Sequence, residues 1–98
     1  MDKNSTQQPY FARRLPAAFK VARTMKSQWQ AIVDRNTLRD DGWMSDQPVD
    51  YIKRVAAYTC MSTGLCRIIH KHWDVDITSE DEALVSEWAD ALVKSFEK

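Results

Sequence analysis

Ninety-eight residues, 44% of them apolar, suit one domain that can form a core without disulfide or metal staples, and leave no room for a second domain. Two glycines and three prolines are too few turn formers for a sandwich or barrel of this size, so few and long elements are expected. Fourteen Lys and Arg balance fourteen Asp and Glu, yet residues 1–35 hold seven bases against two acids and residues 74–98 hold two against eight.

Residues 1–9 are polar and aperiodic and read as a flexible N-terminal arm, with residues 10–98 as a single helical domain. The polar opening lacks the basic and then apolar regions of a secretory signal. A short extra turn is expected near Tyr10 to Arg14. From Leu15, apolar residues recur at steps of three and four through Phe19, Ala22, Met25, Trp29, Ile32 and Val33, which predicts an amphipathic helix over about 16–35. Pro16 suits its first turn, and Asn36 is its expected stop.

Residues 37–47 gather Asp40, Asp41, Gly42, Ser45 and Asp46 around Trp43 and Met44, a connection with a hydrophobic plug. Ser45 or Asp46 is expected to cap the second helix, with Pro48 in its first turn. That helix, over about 47–72, carries a stripe of Tyr51, Val55, Tyr58, Leu65, Ile69 and His72, widened by Ile52, Ala56, Thr59, Cys66 and Trp73. So broad an apolar surface predicts the central helix, and Thr63 with Gly64 would let a neighbour approach closely at a helix-propensity cost of about 1 kcal/mol. Its uncharged run from Val55 to Cys66 is short of the roughly 20 apolar residues that cross a bilayer, so no membrane partner is expected.

Residues 73–77 read as extended, and Thr78 with Asp81, or Ser79 with Glu82, forms a capping box for a third helix over about 80–96. Its expected core residues are Leu84, Val85, Trp88, Ala91, Leu92 and Phe96. The whole reads as an all-α up-down bundle of three helices, or four.

Little catalytic chemistry is legible. Cys60 and Cys66 sit six apart and point to different helix faces, so reduced thiols and a cytoplasmic setting are expected. Cys66 and His70 are one turn apart, with His72 nearby, but the set lacks zinc-ligand spacing, and no metal is expected. Asp74, Asp76, Thr78 and Glu80 alternate as in a calcium loop, but Ser79 stands where the turn needs Gly and Val85 where a bidentate Glu belongs; a helix cap explains them better. With only Gly42 and Gly64 there is no phosphate-cradling loop, and no cofactor is expected. Arg67 and His72 form an Arg-x4-His arrangement that resembles the motif of HEPN-type ribonucleases. The resemblance implies a paired Arg and His, usually across a dimer, that stabilise the phosphate and move a proton during RNA cleavage. Ile68 departs from the polar residue those motifs often carry after the Arg.

The surface is more informative. Arg13, Arg14, Lys20, Arg23 and Lys26 could touch phosphates, giving salt-dependent binding of nucleic acid with little sequence preference. Glu80, Asp81 and Glu87 could meet a basic partner protein, or the first and third helices could attract each other across solvated faces. A helix-turn-helix reader is disfavoured because the last helix is acidic. An exposed Trp43 with Met44 would anchor a partner, since Trp is enriched at interface hot spots. The leading expectation is a non-enzymatic protein-binding accessory or regulatory module. The alternatives are a nucleic-acid-binding protein and an Arg-x4-His ribonuclease. A homodimer arises if the second helix has more apolar surface than its neighbours cover.

Overall fold

The computed structural model describes residues 12–39, 42–69 and 79–98, with side chains for all of these except residues 69 and 79–81. A 3₁₀ turn, Ala12–Arg14, leads into four helices: α1 (Leu15–Arg23), α2 (Lys26–Thr37), α3 (Val49–Ile69) and α4 (Ser79–Phe96). The described residues are all-α, as expected. The predicted arm, the extended stretch at 73–77 and the capping-box residue Thr78 lie outside the described residues.

The first predicted helix is two helices. Thr24 donates its hydroxyl to the Val21 carbonyl at 2.6 Å, while the Thr24 and Met25 amides bond Val21 and Ala22 at 3.0 and 2.9 Å. These three-residue bonds tighten the chain, and Met25, at ψ 26°, leaves the helical region before α2 begins. Neither Gly nor Pro marks the joint, so composition does not announce it. The buried stripe still runs through it unbroken: Leu15, Ala18, Ala22, Met25, Trp29, Val33 and Asn36.

α3 packs against each of the other helices and is the central one. Its Gly64 faces Ala18 and Ala22 of α1, and its Lys53 carbonyl accepts the Trp29 indole N–H of α2 at 3.0 Å. Early α3 therefore meets α2 and late α3 meets α1, which makes the two rods antiparallel. Lys53 with Glu97 and Arg54 with Asp90 set α4 antiparallel to α3 in the same way. α4 reaches the first rod through Phe19 and Trp88, edge to face at 5.3 Å, and through Trp29 and Phe96 at 5.0 Å. The order is up, down, up.

Two core assignments are corrected. On α3 the core takes Ile52, Ala56, Ala57, Cys60, Met61 and Leu65. Of the predicted surface, Leu65, Ile52 and Ala56 are fully buried, Tyr51 is 45% exposed, and Val55 and Tyr58 are half-buried; the side chain of Ile69, with His72 and Trp73, lies outside the described residues. Ala56, Ala57 and Cys60 lie inward beside the larger Ile52, Met61 and Leu65, and α1 crosses closely at Gly64. On α4 the core takes Val85, Ala89, Leu92 and Phe96, whereas Ala91 is exposed and Leu84 and Trp88 are half-buried.

Candidate functional site

Residues 42–47 form a braced turn at the end of the bundle where α2 passes into α3. Asn36, in the last turn of α2, is 2% exposed. Its Nδ2 donates to the Ile32 carbonyl at 2.7 Å, and its Oδ1 accepts the Met44 amide at 2.7 Å. Gly42 lies against the same side chain: a Cβ there would stand 2.1 Å from Asn36 Oδ1, so a larger residue would have to displace the Asn36 amide from its place. The Gly42 amide donates to Ser45 Oγ at 3.0 Å, Ser45 Oγ donates to the Gly42 carbonyl at 2.9 Å, and the Gln47 amide bonds Met44 at 2.9 Å. Ser45 thus closes the turn and does not cap α3, whose first carbonyl partner is Pro48, accepting the Ile52 amide at 3.0 Å.

The brace separates the expected Trp-Met pair. Met44 is 4% exposed and plugs the core, while Trp43 is 65% exposed. Leu38, Val49 and Tyr51 are the other large apolar residues exposed among the described residues, so all such surface falls between positions 38 and 51. Exposed Asp46 and Asp50 lie in the same stretch. An indole held outward on a fixed backbone loses little further freedom on binding, which favours its use as an anchor.

The other candidate residues are dispersed. Arg13, Arg14, Lys20, Arg23 and Lys26 are all exposed, spread from the 3₁₀ turn to the start of α2. Glu87 is exposed on α4, and the side chains of Glu80 and Asp81 lie outside the described residues. Among the described residues, Lys53 with Glu97 at 2.5 Å and Arg54 with Asp90 at 3.5 Å join the central helix to the later part of the last. Glu97, accepting a hydrogen bond, raises the Lys53 pKa.

Arg67 is exposed late in α3; its sequence partner His72, with His70, lies outside the described residues. Cys60 is buried, which pushes its thiol up to about 11, and Cys66 is half-buried. No group of three His, Cys, Asp or Glu among the described residues could hold a metal ion, and no described helix is long and apolar enough to cross a membrane.

Outside the turn, an open groove of about 310 Å³ runs between α3 and α4 beside Val55, Tyr58 and Ser86. A second depression of about 400 Å³ continues from Tyr58 along α3 past Ser62 to Cys66. Burial, and secondarily the Glu82 carboxylate, raise the Tyr58 pKa, which keeps its hydroxyl a donor. Residue type marks Trp43 in the sequence, whereas Asn36 reads there as a helix stop and Gly42 as a turn residue. Comparison with family models, curated proteins and solved structures gives no match.

Proposed function

We propose that the chain is a non-enzymatic protein-binding module of the accessory or regulatory kind, acting in the cytoplasm and anchored on its partner through Trp43. The observation that carries the proposal is the braced turn: Asn36 and Gly42 fix the backbone, Met44 is drawn inward, and Trp43 is left 65% exposed. An exposed indole gains nothing for the fold, whereas Trp is the side chain most enriched at interface hot spots.

The test is affinity capture from native lysate with wild-type, Trp43→Ala and Asn36→Ala baits. Trp43→Ala is expected to keep its fold and lose at least about 30-fold in affinity for whatever the wild type retains, the effect of a hot-spot truncation. Asn36→Ala leaves Trp43 in place but strips the Met44 amide of its acceptor, so weaker capture is expected from a loosened turn. Equal capture by the wild type and Trp43→Ala would rule out Trp43 as the anchor.

A second reading, nucleic-acid binding, draws on Arg13, Lys20, Arg23 and Lys26, which are exposed and make no ion pair with a described acid. It requires RNA or DNA binding at about 50 mM salt that weakens steeply as salt rises. Absence of binding at that salt removes it.

A further inference from the structure

The outward side of α3 is unlike a solvated helix surface. Tyr51, Val55, Tyr58 and Ser62 follow one another at steps of four, three and four, the spacing of a helix-packing seam. Between Val55 and Cys66 the sequence has no charged residue, although roughly a quarter to a third of an ordinary protein surface is charged. The two depressions lie end to end along this side and share Tyr58. Side chains are large in the first half of the seam and small in the second, at Ser62 and Cys66. Ser62 Oγ is buried and makes no hydrogen bond.

We infer that this face is the interface between two copies of the chain, joined α3 to α3 as an antiparallel two-fold contact centred between Tyr58 and Ser62. In that register Tyr58 of each copy lies over Ser62 of the other and Val55 lies near Cys66, so the large half of each seam meets the small half of its mate. No other occupant is needed to supply that complement, because the chain carries both halves at matching spacing. Turning Ser62 about χ1 brings its hydroxyl to the Tyr58 hydroxyl of the second copy, and symmetry makes the bond twice.

Charge supports the same occupant. Arg54 and Asp90 on the rim are paired within their own chain, and the seam from Val55 to Cys66 carries no charge of its own. A strongly acidic partner would find no base to pair between Val55 and Cys66. The 21 residues of α3 make a strip about 30 Å long, and with α4 beside it about 20 Å wide. That is roughly 600 Å² per copy, near the low end for a specific dimer and fitting a micromolar one.

The experiment is sedimentation equilibrium with light scattering on the full chain from about 1 to 200 μM. The expected mass rises with concentration to twice the 11.4 kDa of the chain. Ser62→Arg and Val55→Glu, each checked for wild-type helicity by circular dichroism, are expected to weaken dimerisation at least about tenfold. For the register, Tyr58→Cys and Ser62→Cys chains, both also carrying Cys66→Ser, should form a mixed disulfide under mild oxidation faster than either forms one with itself. A monomer throughout the range overturns the inference. So does a dimer indifferent to both seam variants but lost in Trp43→Ala, and so does preferential linking of Tyr58→Cys to itself.

Discussion

Gly64→Ala is expected to lower the melting temperature, although alanine is the better helix former by about 1 kcal/mol. A Cβ at position 64 would stand 2.7 Å from the carbonyl oxygen of Ala18 and 3.5 Å from the Ala22 amide nitrogen. The first separation is well inside van der Waals contact, and the obstacle is main chain, which cannot swing aside as a side chain can. Overpacking of this kind costs about 1–3 kcal/mol. Set against the propensity gain, a net loss of up to about 2 kcal/mol follows, centred on about 1 kcal/mol, at roughly 4–8 °C for each kcal/mol in a domain of this size. Gly64→Leu should abolish cooperative melting, because α1 would have to lift off α3 and expose Leu15, Ala18 and Ala22, which together are nearly fully buried. Ala18→Gly should not rescue Gly64→Ala, since it leaves the obstructing oxygen where it is. Thermal denaturation followed by circular dichroism reads all three. A Gly64→Ala protein more stable than wild type would mean that α1 and α3 do not cross at this point.

The second large effect is a contrast between two tryptophans. Trp29→Ala is expected to cost about 3–5 kcal/mol, the usual range for deleting a buried aromatic ring. Trp29 is 3% exposed, packs its ring 5.0 Å from that of Phe96 and donates its indole N–H to Lys53, so it holds α2, α3 and α4 at one point. Trp29→Phe removes the donor and part of the ring volume while keeping an aromatic contact, for which about 1–3 kcal/mol is the expected loss. Trp43→Ala should change stability by less than about 0.5 kcal/mol, as surface substitutions do. Urea unfolding of the three variants measures the series directly. If Trp43→Ala destabilised as much as Trp29→Ala, the indole of Trp43 would have to be packed, and its availability to a partner would be lost.

Much of this arrangement is legible in the sequence. The seven apolar residues read from Leu15 onward all lie at or beside the core, and Gly64 was rightly read as a place of close approach. What periodicity could not supply was the direction in which α3 faces. Tyr51, Val55 and Tyr58 form as regular a stripe as the buried Ile52, Ala56 and Cys60, so spacing alone does not choose between them. The predicted surface includes Ile52, Ala56 and Leu65 but not Ala57, Cys60 and Met61, whose burial depends on the helices packed against α3. The joint at Thr24 and Met25 was hidden because a hydroxyl bond to a local carbonyl, not a helix breaker, makes it. At the turn, Trp43 was recognisable by residue type, while Asn36 and Gly42 were not, since their roles depend on a contact across six residues that composition does not reveal.

The burial of Cys60 gives the molecule a chemical timepiece. A thiol raised to about 11 is ionised in only about one part in ten thousand at neutral pH, and the thiolate is the reactive form. With α1 and α4 seated on α3, alkylating and oxidising agents therefore have almost nothing to attack at this position. Each excursion that parts the helices restores an ordinary thiol for as long as it lasts. The rate at which Cys60 is consumed by an alkylating reagent thus counts those excursions, in the native protein and without any label introduced by design.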